Sequence, residues 1–335
     1  MKKIALIVCY FGPFPKCFPF WLKTCAANPS VDFLVYTDQE YADELPRNVS
    51  WRKTTLESVR ELARRKLERP ELVLPHPYKL CDYKPLYGAI FEDDLAAYDF
   101  WGHVDIDLFL GNISGFITDE LLERYDKLLP MGHLSFYRNT PECNRRFFLP
   151  GAKYDCNDVL TSGLNFCFDE WPGIYSIYMA HGFPLYCKDC CASISPLRKR
   201  FSFQARTSSK YPKPAADYRH QVFFWENGAV KRAFLADGEV RYDEFIYIHL
   251  FRRKMMLPDF TAGEADAFFI TPKGLIRKDA GAPVTGREIR AYNPYRGVLY
   301  EYIESRIRRK ILKRKNHRVF ASRELRIDAK GKNKK

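Results

Sequence analysis

Two aspartates one residue apart close an apolar run, Phe100-Trp101-Gly102-His103-Val104-Asp105-Ile106-Asp107-Leu108-Phe109-Leu110. On a strand, side chains i and i+2 point to the same face. Two carboxylates held that way repel each other unless a cation lies between them. Their hard oxygens suit Mg²⁺ or Mn²⁺, and either ion grips phosphate oxygens in turn. Asp105 and Asp107 therefore read as a metal–diphosphate clamp rather than as a general acid–base pair. As a bare tripeptide the motif also fits a solvated turn, so its surroundings decide its weight.

His249 ends the apolar stretch Phe245-Ile246-Tyr247-Ile248-His249 and is followed closely by Arg252, Arg253 and Lys254. It could complete the metal site, with the basic residues holding a diphosphate. Lys84, in Lys79-Leu80-Cys81-Asp82-Tyr83-Lys84-Pro85, could neutralise the same diphosphate as a point charge; the alternative is a solvated helix start with Pro85 in its first turn. In open α/β sheets ligands lie outside the carboxyl ends of the strands. Tyr10 and Phe11 follow the first strand and Asp38 ends the second, so a base or ribose could rest there. In the middle segment, Thr161–Trp171, a sugar could bind. Glu170 or Asp189 there or nearby could take the proton of an acceptor hydroxyl, whereas Asp169 reads better as a helix cap. Cys187-Lys188-Asp189-Cys190 lacks the second cysteine pair a structural zinc site needs.

The elements that must position these groups alternate. Ile4–Tyr10 reads as a strand, Pro15–Ala27 as a helix, Val31–Asp38 as a strand and Thr55–Arg69 as an amphipathic helix stopped by Pro70. The aspartate strand comes next. This order predicts an α/β, Rossmann-like, mostly parallel mixed sheet. Further along, Thr118–Leu129 reads as a helix, Leu134–Tyr137, Gly163–Phe168 and Phe245–Leu250 as strands, and Trp171–His181 as a helix.

The chain has 335 residues, of which 46% are hydrophobic, ample for a sizeable core. The expected organisation is one domain over residues 1–295, with halves at 1–112 and 113–295, followed by a basic tail at 296–335. Most of the net charge of +13 lies in that tail. Over Val298–Lys315, Leu299, Ile303, Ile307, Ile311 and Leu312 alternate with Arg and Lys as in a helix lying on an anionic membrane. Nucleic-acid binding is the competing use of such charge, but it leaves the aromatic core unexplained. No run is long enough for a transmembrane helix, and no cleavage pattern follows the short apolar start. The cysteines, without a secretory signal, fit a reducing cytoplasm.

Together these residues resemble the glycosyltransferase A fold, whose members pair a Rossmann-like half with an Asp-X-Asp motif near residue 100. The resemblance spans roughly residues 3–255. Cys81–Pro85, Trp101–Gly111 and Gly132–Asn139 look like an uncharacterised family of bacterial transferases from surface-polysaccharide loci. The likeness implies that Asp105 and Asp107 hold Mn²⁺ or Mg²⁺ on the diphosphate of a nucleotide sugar, a UDP-sugar being favoured. It implies Asp38 near the nucleoside. His249 and Lys254 resemble the late His…Lys element of glycogenin-like retaining transferases, with the histidine on the metal and the lysine on the diphosphate. The activity so implied moves a hexose to a lipid-linked saccharide at the cytoplasmic face of the membrane. A metal-dependent nucleotidyltransferase or phosphoesterase would use the same aspartates.

Overall fold

The computed structural model describes residues 2–204, 214–251, 253, 255, 256, 258–294, 297, 298, 303 and 307. The chain opens with β1 (Ile4–Cys9), α1 (Phe18–Ala26), β2 (Val31–Thr37), β3 (Val49–Lys53) and α2 (Leu56–Leu67). Short helical turns between Pro77 and Leu95 lead into β4 (Phe100–Val104) and β5 (Leu108–Leu110). Then come β6 (Lys127–Leu128), β7 (Leu134–Arg138), β8 (Leu185–Tyr186) and β9 (Ala192–Ser193). The last strands are β10 (Gln221–Glu226), β11 (Ala229–Ala236), β12 (Glu239–Phe245), β13 (Tyr247–His249), β14 (Ala267–Thr271) and β15 (Gly274–Arg277).

Among the described residues these strands form a seven-stranded sheet β3-β2-β1-β4-β7-β6-β8, a five-stranded sheet β12-β11-β10-β14-β15 and a three-stranded sheet β5-β13-β9. In the first, β1 pairs parallel with both β2 and β4, while β7 runs antiparallel to β4. The first half is thus parallel, as expected, and the sheet as a whole is mixed. β1 is apolar throughout because both its faces are covered. Ala5 and Ile7 enter a core with Tyr83, Tyr87 and Trp101, and Ile4, Leu6 and Val8 enter a second with Trp21, Phe33 and Phe136.

α2 starts where Thr55 accepts the amide of Ser58 at 3.0 Å, and Val59, Ala63 and Leu67 form its buried face. It stops at Glu68, which takes a left-handed conformation two residues before Pro70.

Three expectations are corrected. The helix after Thr118 covers only Asp119–Arg124, and Lys127–Leu128 joins the sheet beside β7. Gly163–Phe168 is not a strand, because the amides of Phe166 and Phe168 donate to the Asp82 carboxylate instead of to a sheet neighbour. Trp171–His181 is a wide turn over Trp171–Tyr175 followed by an α-helix over Ser176–His181.

The antiparallel five-stranded sheet is an addition. Its first two hairpins turn at Asn227-Gly228 and Asp237-Gly238, all four residues with positive φ. That is the backbone two-residue hairpins need, and Asn-Gly and Asp-Gly supply it at least cost. All ten cysteines are free thiols. Among the described residues no helix is long and apolar enough to cross a membrane.

Candidate metal centre

Asp105 and Asp107 do not lie on a strand. They occupy the bend where the chain leaves β4 in one sheet and enters β5 in another. The Asp105 amide donates to the His133 carbonyl at 2.9 Å, extending the ladder between β4 and β7 by one step. The Leu250 amide donates to the Asp107 carbonyl at 2.9 Å, extending the ladder between β5 and β13. The indole of Trp21 donates to the Asp105 carbonyl at 3.1 Å. The bend is therefore gripped on both sides. Ile106 is buried in the core beneath it, and both aspartates are half-buried.

The same ladder brings His249 to the bend, since it pairs with Leu108 across β5 and β13. Its Nε2 stands 3.3 Å from Oδ1 of Asp107. One ligand atom from each of Asp105, Asp107 and His249 lies within 4.8 Å of the others. Two carboxylates and an imidazole on a partly open edge could hold a divalent ion such as Mn²⁺. The three metal ligands expected from the sequence are thus together.

Lys84 is buried behind this cluster. Its ammonium lies 2.7 Å from Oδ1 of Asp105 and 3.2 Å from Oδ2 of Asp169, and donates to the Gly132 carbonyl at 2.8 Å. A Cβ on residue 132 would fall 2.4 Å from Oδ2 of Asp169, so glycine makes room for that carboxylate. Burial opposes the Lys84 charge, but Asp105 and Asp169 outweigh it and hold its pKa well above the ordinary lysine value. Burial pushes the Asp169 carboxyl up to about 8, with Lys84 opposing and Glu170 and Asp105 adding to it. Burial likewise raises Asp105, against Lys84 and with Asp107. One ammonium faces two carboxylates, with Asp107 and Glu170 close by. The centre is short of positive charge, which is what a divalent cation would supply.

Lys84, expected to meet a phosphate directly, is instead the resident counter-ion of the carboxylates. Asp169, read as a helix cap, is its partner. The ring of Phe11 is buried in the core with Tyr36.

Tyr10 is half-buried, with its ring on Phe14 at 5.0 Å and its hydroxyl 3.1 Å from the Pro13 carbonyl. Asp38 is exposed and accepts the Gly12 amide at 2.9 Å. That contact and Gln39 hold its carboxyl below the usual range, and it ties the loop after β1 to the end of β2. Because β1, β2 and β4 are parallel, both loops lie on the same sheet edge as Asp105.

Glu170 Oε1 lies 3.9 Å from Nε2 of His133, whose ring stacks on His249. Asp189 sits three residues before β9, the strand that pairs with β13 beside His249, and accepts from the Cys191 amide at 3.4 Å. Lys254 and Arg252 lie outside the described residues, as does almost all of the basic tail.

Sequence reasoning missed His133 and the pairing of Asp169 with Lys84. Gly132-His133 stood in one of the motifs that carried the resemblance, and that was the available signal.

Fold and site define a mixed α/β protein, its first half parallel, with a candidate divalent-cation centre at the carboxyl edge of its main sheet. The chain belongs to a family of unknown function, DUF6625, which matches it over residues 6–279. Among curated proteins none matches the chain. Of solved structures, the crystal structure of mouse xyloside xylosyltransferase 1 in its apo form is similar at 9% sequence identity and a TM-score of 0.34, over 58% of this chain and 88% of that one.

Proposed function

We propose that this chain is a metal-dependent glycosyltransferase that moves a hexose from a nucleotide diphosphate sugar, a UDP-sugar in the first instance, to a saccharide acceptor in bacterial surface-polysaccharide synthesis. One observation carries the reading: Asp105, Asp107 and His249 converge at the carboxyl end of β4, on the sheet edge that also bears the loops after β1 and β2. A hard-ligand cluster suits a diphosphate, and the neighbouring loops suit a nucleoside.

In this reading Asp105, Asp107 and His249 hold Mn²⁺ or Mg²⁺. The bound ion supplies Lewis acidity for a departing diphosphate. Lys84 fixes the Asp105 carboxylate and offsets part of the negative charge. Tyr10 and Asp38 face the nucleoside, and Lys254 the diphosphate. The bond from the anomeric carbon to the diphosphate oxygen breaks, and a bond from that carbon to the acceptor oxygen forms. The acceptor proton passes to a carboxylate, Glu170 or Asp189. The basic tail holds the enzyme on an anionic membrane at its cytoplasmic face, near a lipid-linked acceptor.

Incubation with a panel of nucleotide diphosphate hexoses and Mn²⁺ tests this. Release of nucleoside diphosphate, lost in Asp107→Ala, is the expected result. Release of pyrophosphate or phosphate instead would assign a nucleotidyltransferase or phosphoesterase. Liposome sedimentation of the chain lacking residues 300–335 tests the anchor, and unchanged binding would reject it.

A further inference from the structure

A metal-bound histidine is normally steered by a hydrogen bond from its other ring nitrogen to a carboxylate or carbonyl. His249 lacks that support. Its Nε2 faces Asp107, while its Nδ1 is buried and meets no hydrogen-bond partner among the described residues. The ring is held by its faces instead. The His133 ring stacks on it with centroids 3.6 Å apart and planes 26° apart. Phe251 packs against it at 5.2 Å and 58°.

His133 is itself well fixed. Its carbonyl accepts the Asp105 amide at 2.9 Å, so its backbone is tied to the bend that carries the aspartates. The Tyr247 hydroxyl lies 3.4 Å from its Nδ1 and Glu170 lies 3.9 Å from its Nε2. Tyr247 and His249 belong to the same short strand, so the His133 ring is clamped to the element whose ligand it stacks on.

We infer that His133 is a positioning residue that holds the ring plane of His249 by stacking, in place of the missing hydrogen bond, and so keeps Nε2 aimed at the metal centre. The inference rests on the metal site of the proposed function. It requires an aromatic face at position 133 and makes no use of that residue's nitrogens on the metal.

The test is isothermal titration of the full chain with Mn²⁺, together with the visible spectrum of its Co²⁺ form, for the wild type, His133→Phe, His133→Ala and His133→Leu. Leucine fills the volume without an aromatic face and serves if the alanine variant fails to fold. His133→Phe is expected to bind Mn²⁺ within a few-fold of the wild type with the same Co²⁺ spectrum. His133→Leu is expected to weaken binding by roughly tenfold, the scale typical of residues that orient metal ligands, and to shift the spectrum. Wild-type affinity in His133→Leu overturns the inference, as does a loss in His133→Phe equal to that in His133→Leu. Failure of the wild type to bind Mn²⁺ overturns the metal-site reading itself, a distinct result.

Discussion

Asp107 and His249 stand 3.3 Å apart, Oδ1 to Nε2, because the residue after the histidine donates its amide to the carbonyl of the aspartate. The ladder between β5 and β13 thus builds the centre from two distant parts of the chain. Residues that share one ligand shell couple strongly. Asp107→Asn and His249→Asn should each weaken Mn²⁺ binding, and the double variant should lose far less than the sum of the two. A double-mutant cycle by titration calorimetry checks this. Additive losses would mean that the two side chains do not share an ion.

Lys84 is the cation that keeps Asp105 and Asp169 together in the protein interior. Removing one partner of a buried ion pair leaves an uncompensated charge, at a cost of about 3–5 kcal/mol. Lys84→Met should lower the midpoint of urea unfolding accordingly. Saturating Mn²⁺ should restore part of the loss, because an ion bound only by the folded state adds stability. If Mn²⁺ stabilises wild type and variant by the same amount, the lysine and the ion are not electrostatically linked.

A buried pair below the site sets the segment that delivers Asp169. Lys79 and Asp82 are both 0% exposed and 2.8 Å apart. Asp82 accepts the amides of Phe166 and Phe168, and Lys79 donates to the carbonyls of Val159 and Leu164. Asp82→Asn should destabilise the fold by about 3–5 kcal/mol, with part of the loss recovered in Lys79→Met/Asp82→Asn. Chemical denaturation reads both, and an unaltered stability in the single variant would contradict the clamp.

Lys127 is buried beside His103, Ser135 and Tyr137, with its ammonium 2.9 Å from the Ser135 hydroxyl and 4.8 Å from the Tyr137 ring centroid. Burial takes its pKa from the ordinary 10.5 down to about 7, against Asp169 and Cys187. The unfolded chain then binds one more proton than the folded one between those two values. This group's contribution to stability therefore rises with pH across that window and is flat below it. The slope it adds is at most about 1.4 kcal/mol per pH unit. Unfolding free energies of wild type and Lys127→Met from pH 6 to about pH 10 should diverge in slope only above about pH 7. Parallel curves would show that the amine stays charged in the interior.

Much of the parallel half was legible in the sequence. β1 is an unbroken apolar run, β2 is apolar from Phe33 to Tyr36, and α2 carries its own cap and stop, so local pattern and tertiary role agree. The candidate metal ligands were legible by residue type, but their geometry was not, because the aspartates occupy a bend between two sheets rather than one face of a strand. Gly163–Phe168 has a strand's composition, and only the distant Asp82 decides otherwise. The hairpins at Asn227-Gly228 and Asp237-Gly238 carry a local turn signal in the dipeptides themselves. His133 stands in the Gly132–Asn139 motif, but its stacking on His249 depends on which strands meet and is not legible in its neighbours.

In the proposed reaction the donor diphosphate binds through an ion held by Asp105, Asp107 and His249. Calorimetric titration of UDP-hexoses into the full chain in Mn²⁺, and again in EDTA, tests it most directly. Binding is expected in Mn²⁺ that disappears in EDTA and that is also absent in Asp107→Ala with Mn²⁺ present. Equal affinity with and without the ion would contradict it.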